Sequence, residues 1–210
     1  MTGVQTCALP IWLIFLDHIP SNAVSWITIR NYGFSDATVF PESNLVIDGV
    51  LLNPTRSALL DVLTAMGSRI SMVRVEEQHG ELLGTITLVP GVAKPVTIAG
   101  AQTALLIDEL PVLAAIAPYT AGLEVRDAGE LRVKESDRLS AVTQNLRAMG
   151  AQVEQTDDGW RIPGGQRLHS AEIESFGDHR IAMAFAIAAL RAQGETIIRN
   201  SECEIGRAHV

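Results

Sequence analysis

The sequence has few cysteines and no long hydrophobic run. Cys7 and Cys203 cannot by themselves form a disulfide framework or a zinc site, so the composition fits a reducing compartment. The nearest approach to a membrane span, residues 110–123, is shorter than roughly 18 residues and contains two prolines. The first residues also lack the basic region of a secretory signal. We therefore expect a cytoplasmic protein without a membrane partner.

Basic residues are also scarce. The chain has 16 Lys and Arg against 24 Asp and Glu, a formal net charge of −8, which argues against a broad surface for nucleic acid or acidic lipid. No His, Cys or carboxylate pair has metal-ligand spacing, so we expect neither a metal nor a cofactor. With 47% hydrophobic residues in 210, the chain is long and apolar enough for one or two globular domains.

The two ends of the chain carry related sequences. Ile205 to Val210 (IGRAHV) can be encoded by ATCGGAAGAGCACACGTC, and the reverse complement, read one base out of phase, encodes TCALPI, which is Thr6 to Ile11. Two strands of one DNA stretch at opposite ends are typical of library-adapter read-through, and such segments are excluded from fold reasoning. We expect residues 1–11 and 204–210 to be adapter-derived and 12–203 to be a piece of a longer protein.

A repeated unit organises the interior. In each copy an amphipathic helix, with apolar residues three and four apart, ends near a glycine and leads into a strand. The pattern occurs four times, around Gly67, Gly122, Gly150 and Gly194.

Further strands are predicted at Leu82 to Val89, Val96 to Ile98 and Trp160 to Ile162, the last after a hairpin signal at residues 157–159. The order helix, strand, strand, helix, strand occurs twice, about 80 residues apart, which predicts a duplicated α/β module in one continuous domain. Residues 34–44 lack periodicity and are predicted to be a loop, after a possible strand at Trp26 to Ile29.

Three of the four helix starts carry an arginine. They are Asn53-Pro54-Thr55-Arg56, Lys134-Glu135-Ser136-Asp137-Arg138 and Gly177-Asp178-His179-Arg180, whereas the fourth, Asp108-Glu109, is acidic. Arginine is mildly unfavourable beside the positive end of a helix dipole, so its placement there suggests an anion held by guanidinium and backbone N–H groups together.

Two simpler interpretations stay open at this point. Asp108, Asp137 and Asp178 fit plain helix N-caps. The charged residues around Lys134 and Arg138 equally fit a solvated ion cluster worth under about 1 kcal/mol.

Several motifs match one family. Leu-Arg-Val-Lys-Glu-Ser-Asp-Arg-Leu at 131–139, Asp-His-Arg-Ile-Ala-Met at 178–183, Ile-Asp-Glu-Leu-Pro-Val-Leu-Ala at 107–114 and Asn-Pro-Thr-Arg at 53–56 resemble the EPSP synthases. The resemblance runs from about Val50 to about Cys203 and implies an incomplete enolpyruvyl transferase fold, built from repeated βαβαββ units. It also implies that residues 12–203 are most of the C-terminal domain of a two-domain enzyme.

The resemblance implies a reaction and a set of site residues. The family transfers the enolpyruvyl group of phosphoenolpyruvate to the 5-hydroxyl of shikimate 3-phosphate. Asp108 would accept the proton of that hydroxyl and hold the shikimate ring, Lys134 would bind shikimate 3-phosphate, and Glu135 would move protons at the methylene carbon. Arg138 and Arg180 would bind phosphoenolpyruvate. Arg56 matches the motif without an implied role.

The resemblance also implies what a fragment lacks. An N-terminal half-site and a C-terminal lysine are missing, so we expect the chain to be inactive alone and the full-length protein to be a monomer. Two alternatives stay open: a relative that acts on UDP-N-acetylglucosamine, and a non-catalytic α/β scaffold that binds another anion.

Overall fold

The computed structural model describes residue 35 and residues 37–52, 58–78 and 81–201. These residues form two compact units, and the chain passes from the first to the second between Val92 and Ala93.

The first unit contains a small antiparallel sheet, an eight-residue helix and the helical residues 37–39. Its elements are β1 (Leu45–Leu51), α1 (Ala58–Ala65), β2 (Arg69–Gln78) and β3 (Glu81–Val89). β3 lies in the centre and pairs antiparallel with both β1 and β2. The unit has a core because the apolar face of α1, with Leu59 and Leu63, is buried together with Ile86 and Leu88 of β3.

The second unit contains the remaining elements. They are β4 (Val96–Ile98), α2 (Ala101–Leu105), α3 (Leu110–Ile116), β5 (Gly122–Val125), α4 (Arg138–Ala148), β6 (Glu154–Gln155), β7 (Trp160–Pro163), β8 (Glu172–Glu174), α5 (His179–Arg191) and β9 (Ile197–Arg199). Two 3-10 helices, Ala117–Tyr119 and Gly129–Val133, lie before β5 and α4.

The topology of the second unit contains one complete βαβαββ repeat. β4 and β5 are parallel and are joined through α2 and α3, and α4 then leads into the β6–β7 hairpin. The four strands form one sheet in the order β4-β5-β7-β6. The parallel pair β8 and β9, joined through α5, is the start of a second repeat. This arrangement confirms the predicted α/β class and the predicted repeated units.

Helix α3 forms the centre of the second unit. All seven of its residues are buried, so it is surrounded by protein, and α5 and α4 both pack against it. The β-strands place one face inward: along β7, Trp160 and Ile162 are buried while the residues between and after them are exposed. Buried Trp160 is satisfied because its indole N–H donates to the carbonyl of Leu139 at 3.1 Å.

The predicted glycine turns are present after four helices. The glycines have φ angles of 113° at Gly67, 109° at Gly122, 83° at Gly150 and 99° at Gly194. These angles lie in the left-handed region that only glycine adopts without strain. Gly67 and Gly150 stand two residues after α1 and α4 and end these helices, whereas Gly122 begins β5 and Gly194 follows the extended C-cap of α5, Ala192.

The structure differs from the prediction near the start of the described chain. Residues 37–39 are helical and residues 41–42 form a turn, so the segment predicted to be a loop is only partly a loop. The possible strand at Trp26 to Ile29 lies outside the described residues. Within the described ranges, no helix is both long and apolar enough to cross a membrane.

Candidate functional site

Four of the five predicted site residues come together in the second unit. Asp108 lies in the turn before α3, Glu135 lies just before α4, Arg138 is the first residue of α4, and Arg180 lies in the first turn of α5. Hydrogen bonds and ion pairs connect these four side chains. Three separate chain segments therefore build one cluster of charged groups.

Arg138 is at the centre of the cluster. Its side chain is only 1% exposed, and it contacts three carboxylates. Nε donates to Oδ2 of Asp178 at 2.8 Å, and Nη2 donates to Oε2 of Glu135 at 2.6 Å. Nη1 donates to Oδ1 of Asp108 at 3.3 Å. Because a buried guanidinium is tolerated only with such partners, the interpretation of Arg138 as part of a solvated ion cluster is wrong.

Asp108 joins the two arginines. Its second carboxylate oxygen, Oδ2, accepts from Nη2 of Arg180 at 3.1 Å, and its backbone carbonyl accepts from Nη1 of the same residue at 3.1 Å. The carboxylate is 42% exposed, whereas the side chain of Arg180 is 18% exposed. One partly open carboxylate thus lies between two more buried cations.

Asp178 is the partner that the sequence analysis did not assign to the site. It is fully buried and is the N-cap of α5, where its Oδ1 accepts from the backbone N–H of Arg180 at 2.9 Å. The same carboxylate also receives the Ser136 hydroxyl at 3.1 Å and the Arg138 guanidinium. The N-cap interpretation of Asp178 is confirmed, but it describes only half of the contacts of this residue.

The charges of Asp178 and Arg138 stabilise each other. Burial alone would raise the pKa of Asp178, but the hydrogen bond and charge of Arg138 outweigh it and hold that pKa below its usual range. Burial likewise opposes the charge on Arg138, yet the neighbouring carboxylates, Asp178 above all, raise its pKa. Both groups are therefore charged at neutral pH.

The other predicted residues have different surroundings. Lys134 forms an ion pair with Glu130, four residues earlier. Asp137 is the N-cap of α4, as predicted, and accepts from the backbone N–H of Ser140. Asp108 is not an N-cap, because α3 is preceded by Glu109 and has no side-chain cap. Arg56 lies outside the described residues.

The cluster has the groups that anion and proton chemistry require. Two guanidiniums lie at the starts of α4 and α5, where the helix dipoles also favour negative charge. The carboxylates of Asp108 and Glu135 are partly exposed beside them and could move protons. Among the described residues, no group of three His, Cys, Asp or Glu side chains is placed to hold a metal ion.

An open concavity lies elsewhere on the second unit. It is lined by β4, β5, β7, the end of α4 and the segment that follows α4, including Val96, Leu123 and Arg147. None of the predicted site residues lines it, so the charged cluster and this concavity are separate features.

Comparison with known proteins identifies the family. The sequence model described as EPSP synthase (3-phosphoshikimate 1-carboxyvinyltransferase) matches residues 31–205. A second model, described as OpgC protein, matches residues 6–40, most of which lie outside the described structure. The 3-phosphoshikimate 1-carboxyvinyltransferase of Koribacter versatilis is 64% identical over 168 residues, which cover 80% of this chain and 39% of that protein. That of Synechococcus sp. is 46% identical over 184 residues, covering 87% of this chain and 40% of that protein.

Solved structures agree with this result. The EPSP synthase of Acinetobacter baumannii is 31% identical with a TM-score of 0.78, covering 84% of this chain and 42% of that one. The enolpyruvyl transferase NikO from Streptomyces tendae, at 20% identity and a TM-score of 0.58, shares the fold. The chain spans about two fifths of the length of the curated relatives it matches. Its sequence, repeats and fold together show that the chain belongs to the EPSP synthase family.

Proposed function

We propose that this chain is part of an enzyme that transfers the enolpyruvyl group of phosphoenolpyruvate to the 5-hydroxyl of shikimate 3-phosphate. The products are 5-enolpyruvylshikimate 3-phosphate and inorganic phosphate, on the route to aromatic amino acids. The observation that carries the proposal is the charged cluster, in which Asp108, Glu135, Arg138 and Arg180 come together from three chain segments.

The reaction needs fixed cations and movable protons. In the addition step, the 5-hydroxyl oxygen bonds to C2 of phosphoenolpyruvate while a proton is added to the C3 methylene. In the elimination step, the C2–O bond to phosphate breaks and C3 loses a proton. The tetrahedral intermediate carries several negative groups, so preorganised guanidiniums would stabilise it and the transition states on either side.

Each cluster residue has a proposed role. Asp108 accepts the proton of the 5-hydroxyl and holds the shikimate ring, and Glu135 moves the protons at C3. Arg138 and Arg180 bind phosphoenolpyruvate, and Lys134 binds the phosphate of shikimate 3-phosphate. The partial exposure of Asp108 and Glu135 supports roles that require contact with substrate.

The chain supplies only part of the proposed site, since it spans about two fifths of its relatives. We propose that the 210-residue chain is inactive alone, and that the whole protein is a cytoplasmic monomer that acts on these two small molecules.

A chimera tests the proposed reaction. The chain is joined to the parts of a close relative that it does not cover, and phosphate release is measured with both substrates. We expect turnover in the chimera, and loss of at least about 100-fold with Asp108→Ala, because a general base contributes roughly 10²–10⁴-fold. Glu124→Gln is the matched control, since this carboxylate binds only surface arginines, Arg126 and Arg161, in the described structure. A folded chimera without phosphate release would refute the proposed reaction.

A further inference from the structure

The contacts of Asp108 with the two arginines are longer than the shortest contacts that Glu135 and Asp178 make with Arg138. Its carboxylate lies 3.3 Å from Nη1 of Arg138 and 3.1 Å from Nη2 of Arg180. The contacts of Arg138 with Glu135 and Asp178 are 2.6 and 2.8 Å, within the range of strong charge-assisted hydrogen bonds. Asp108 is therefore held less tightly by Arg138 than the other two carboxylates are.

The side chain of Asp108 is also more exposed than the side chains of the two arginines. Asp108 has an exposed fraction of 42%, whereas Arg138 and Arg180 have 1% and 18%. The Asp108 carboxylate can turn toward solvent, whereas the guanidinium of Arg138 is held by Asp178 and Glu135. Asp178 and Glu135 occupy Nε and Nη2 of Arg138. The Nη1 edge that faces Asp108 is the edge at which another anion could reach this arginine.

We propose that the Asp108 carboxylate is an internal substitute for the substrate anion: it pairs with Arg138 and Arg180, and it moves away when the anion binds to these arginines. A carboxylate or phosphate group that contacts both Arg138 and Arg180 takes the position that Asp108 holds in this structure. Exchange of one anion for another leaves the buried Arg138 and the partly exposed Arg180 paired with an anion in both states.

This exchange links binding to chemistry. It rests on the proposed function, in which Asp108 accepts a proton from the 5-hydroxyl and the arginines bind phosphoenolpyruvate. While Asp108 is paired with the arginines, its oxygens are engaged by guanidinium donors. Arrival of phosphoenolpyruvate releases those oxygens toward the second substrate. The base thus becomes available only when the group to be transferred is present.

Binding of phosphoenolpyruvate to the 210-residue chain tests the exchange, with isothermal titration calorimetry as the measurement. Asp108→Asn and Asp108→Ala remove the competing charge, and we expect both variants to bind phosphoenolpyruvate about threefold to tenfold more tightly than the unmodified chain. The estimate follows from two partly exposed ion pairs, each worth up to about a fivefold factor in affinity. Inorganic phosphate as a second probe shows whether the phosphate group alone produces the effect.

The control is Asp137→Asn, which removes one negative charge beside Arg138 from a residue that contacts neither arginine of the pair through any described bond. We expect less than a twofold change, so a general charge effect would be recognised. Adding Arg180→Gln to Asp108→Asn should abolish the gain. Equal or weaker binding in both Asp108 variants, or a gain that survives loss of Arg180, overturns the proposal.

The two proposals fail separately. If the chimera releases phosphate but the Asp108 variants bind phosphoenolpyruvate no more tightly, the exchange is refuted and the reaction stands. If the chimera is inactive but the gain is present and depends on Arg180, the exchange stands as a property of an anion site and the reaction is refuted.

Discussion

At the residue scale, Asp178 has two roles, and the local sequence indicates only the first of them. It caps α5, and it neutralises the buried guanidinium of Arg138, which belongs to α4. A buried charge that loses its partner is expensive, whereas an N-cap can be replaced by asparagine at little cost. The two roles can therefore be tested apart.

Asp178→Asn retains the cap and removes the ion pair. We expect it to lower the free energy of unfolding by about 3 kcal/mol, because the Arg138 charge stays buried with less compensation. Asp137→Asn is the matched control at the other capped helix, where the partly exposed pair with Arg132 leads us to expect less than about 1 kcal/mol. Urea unfolding measures both, and equal losses would show that the ion pair has no special weight.

The same residue predicts a pH dependence. The pKa of Asp178 is lower in the folded protein than the usual value near 3.9, so its contribution to stability is complete above about pH 4. The contribution is lost as the pH falls through the lower, folded-state pKa. We expect the unfolding free energy of the unmodified chain to fall more steeply below pH 4 than that of Asp178→Asn. Other acidic groups titrate in both proteins, so Asp178 accounts for the difference between the two curves of unfolding free energy against pH. Parallel curves would contradict the lowered pKa of Asp178.

The sequence could predict the separate parts of this cluster but not all of their connections. The motifs indicated Asp108, Glu135, Arg138 and Arg180, and the cap preference indicated Asp178. The contact between Arg138 and Asp178 joins residues 40 positions apart, and no local pattern reports it. One feature of the sequence singles out Asp178 as a site candidate: like Asp137, it stands within two residues before an arginine at a helix start.

At the element scale, the turns between helices and strands were predictable because they require a positive φ angle, which glycine adopts without strain. Apolar spacing predicted the helices, and the following glycine predicted the ends of α1 and α4. Two short elements were not foreseen, α2 with five residues and β8 with three, although β4, which also has three residues, was predicted. Asp108 failed as a cap because Glu109 takes the position before α3.

Gly150 tests the turn after α4. Its φ angle is 83°, and a methyl group there would lie 2.5 Å from Nε2 of His169. We expect Gly150→Ala to lower the free energy of unfolding by about 1–3 kcal/mol through backbone strain and steric contact. Gly129→Ala is the control, because nothing lies within 4 Å of the added carbon and no positive φ occurs there. Thermal unfolding should separate the variants, and equal midpoints would contradict this reason for the glycine.

At the scale of the whole molecule, the chain is divided between its two compact units. Residues 91–95 are exposed and belong to no helix or strand, and Val92 is the most exposed large apolar residue in the described part of the chain, at 82%. The sequence predicted one continuous repeat-built domain over residues 12–203, and the bounds of that domain stay a prediction. Pro90, Gly91 and Pro95 flank the position where the compact units divide and are typical of a connecting segment, but the sequence analysis placed no boundary there.

Limited digestion with elastase tests the connection. The enzyme cleaves after small apolar residues in exposed extended segments, so we expect a stable fragment that begins at or near Ala93. Mass spectrometry identifies its first residue. Val92→Asp should slow this cut selectively, while a first cut inside the fully buried α3 would contradict the boundary.

The shared carboxylate of Asp178 has a consequence for how this site can change during evolution. Loss of Arg138 leaves Asp178 buried without its main counter-charge, so a second change to a neutral residue at Asp178 should restore stability instead of reducing it further. The same Asp178 substitution is harmful when Arg138 is present. Its sign therefore depends on another residue 40 positions away, and this sign epistasis would make the two positions change together or not at all.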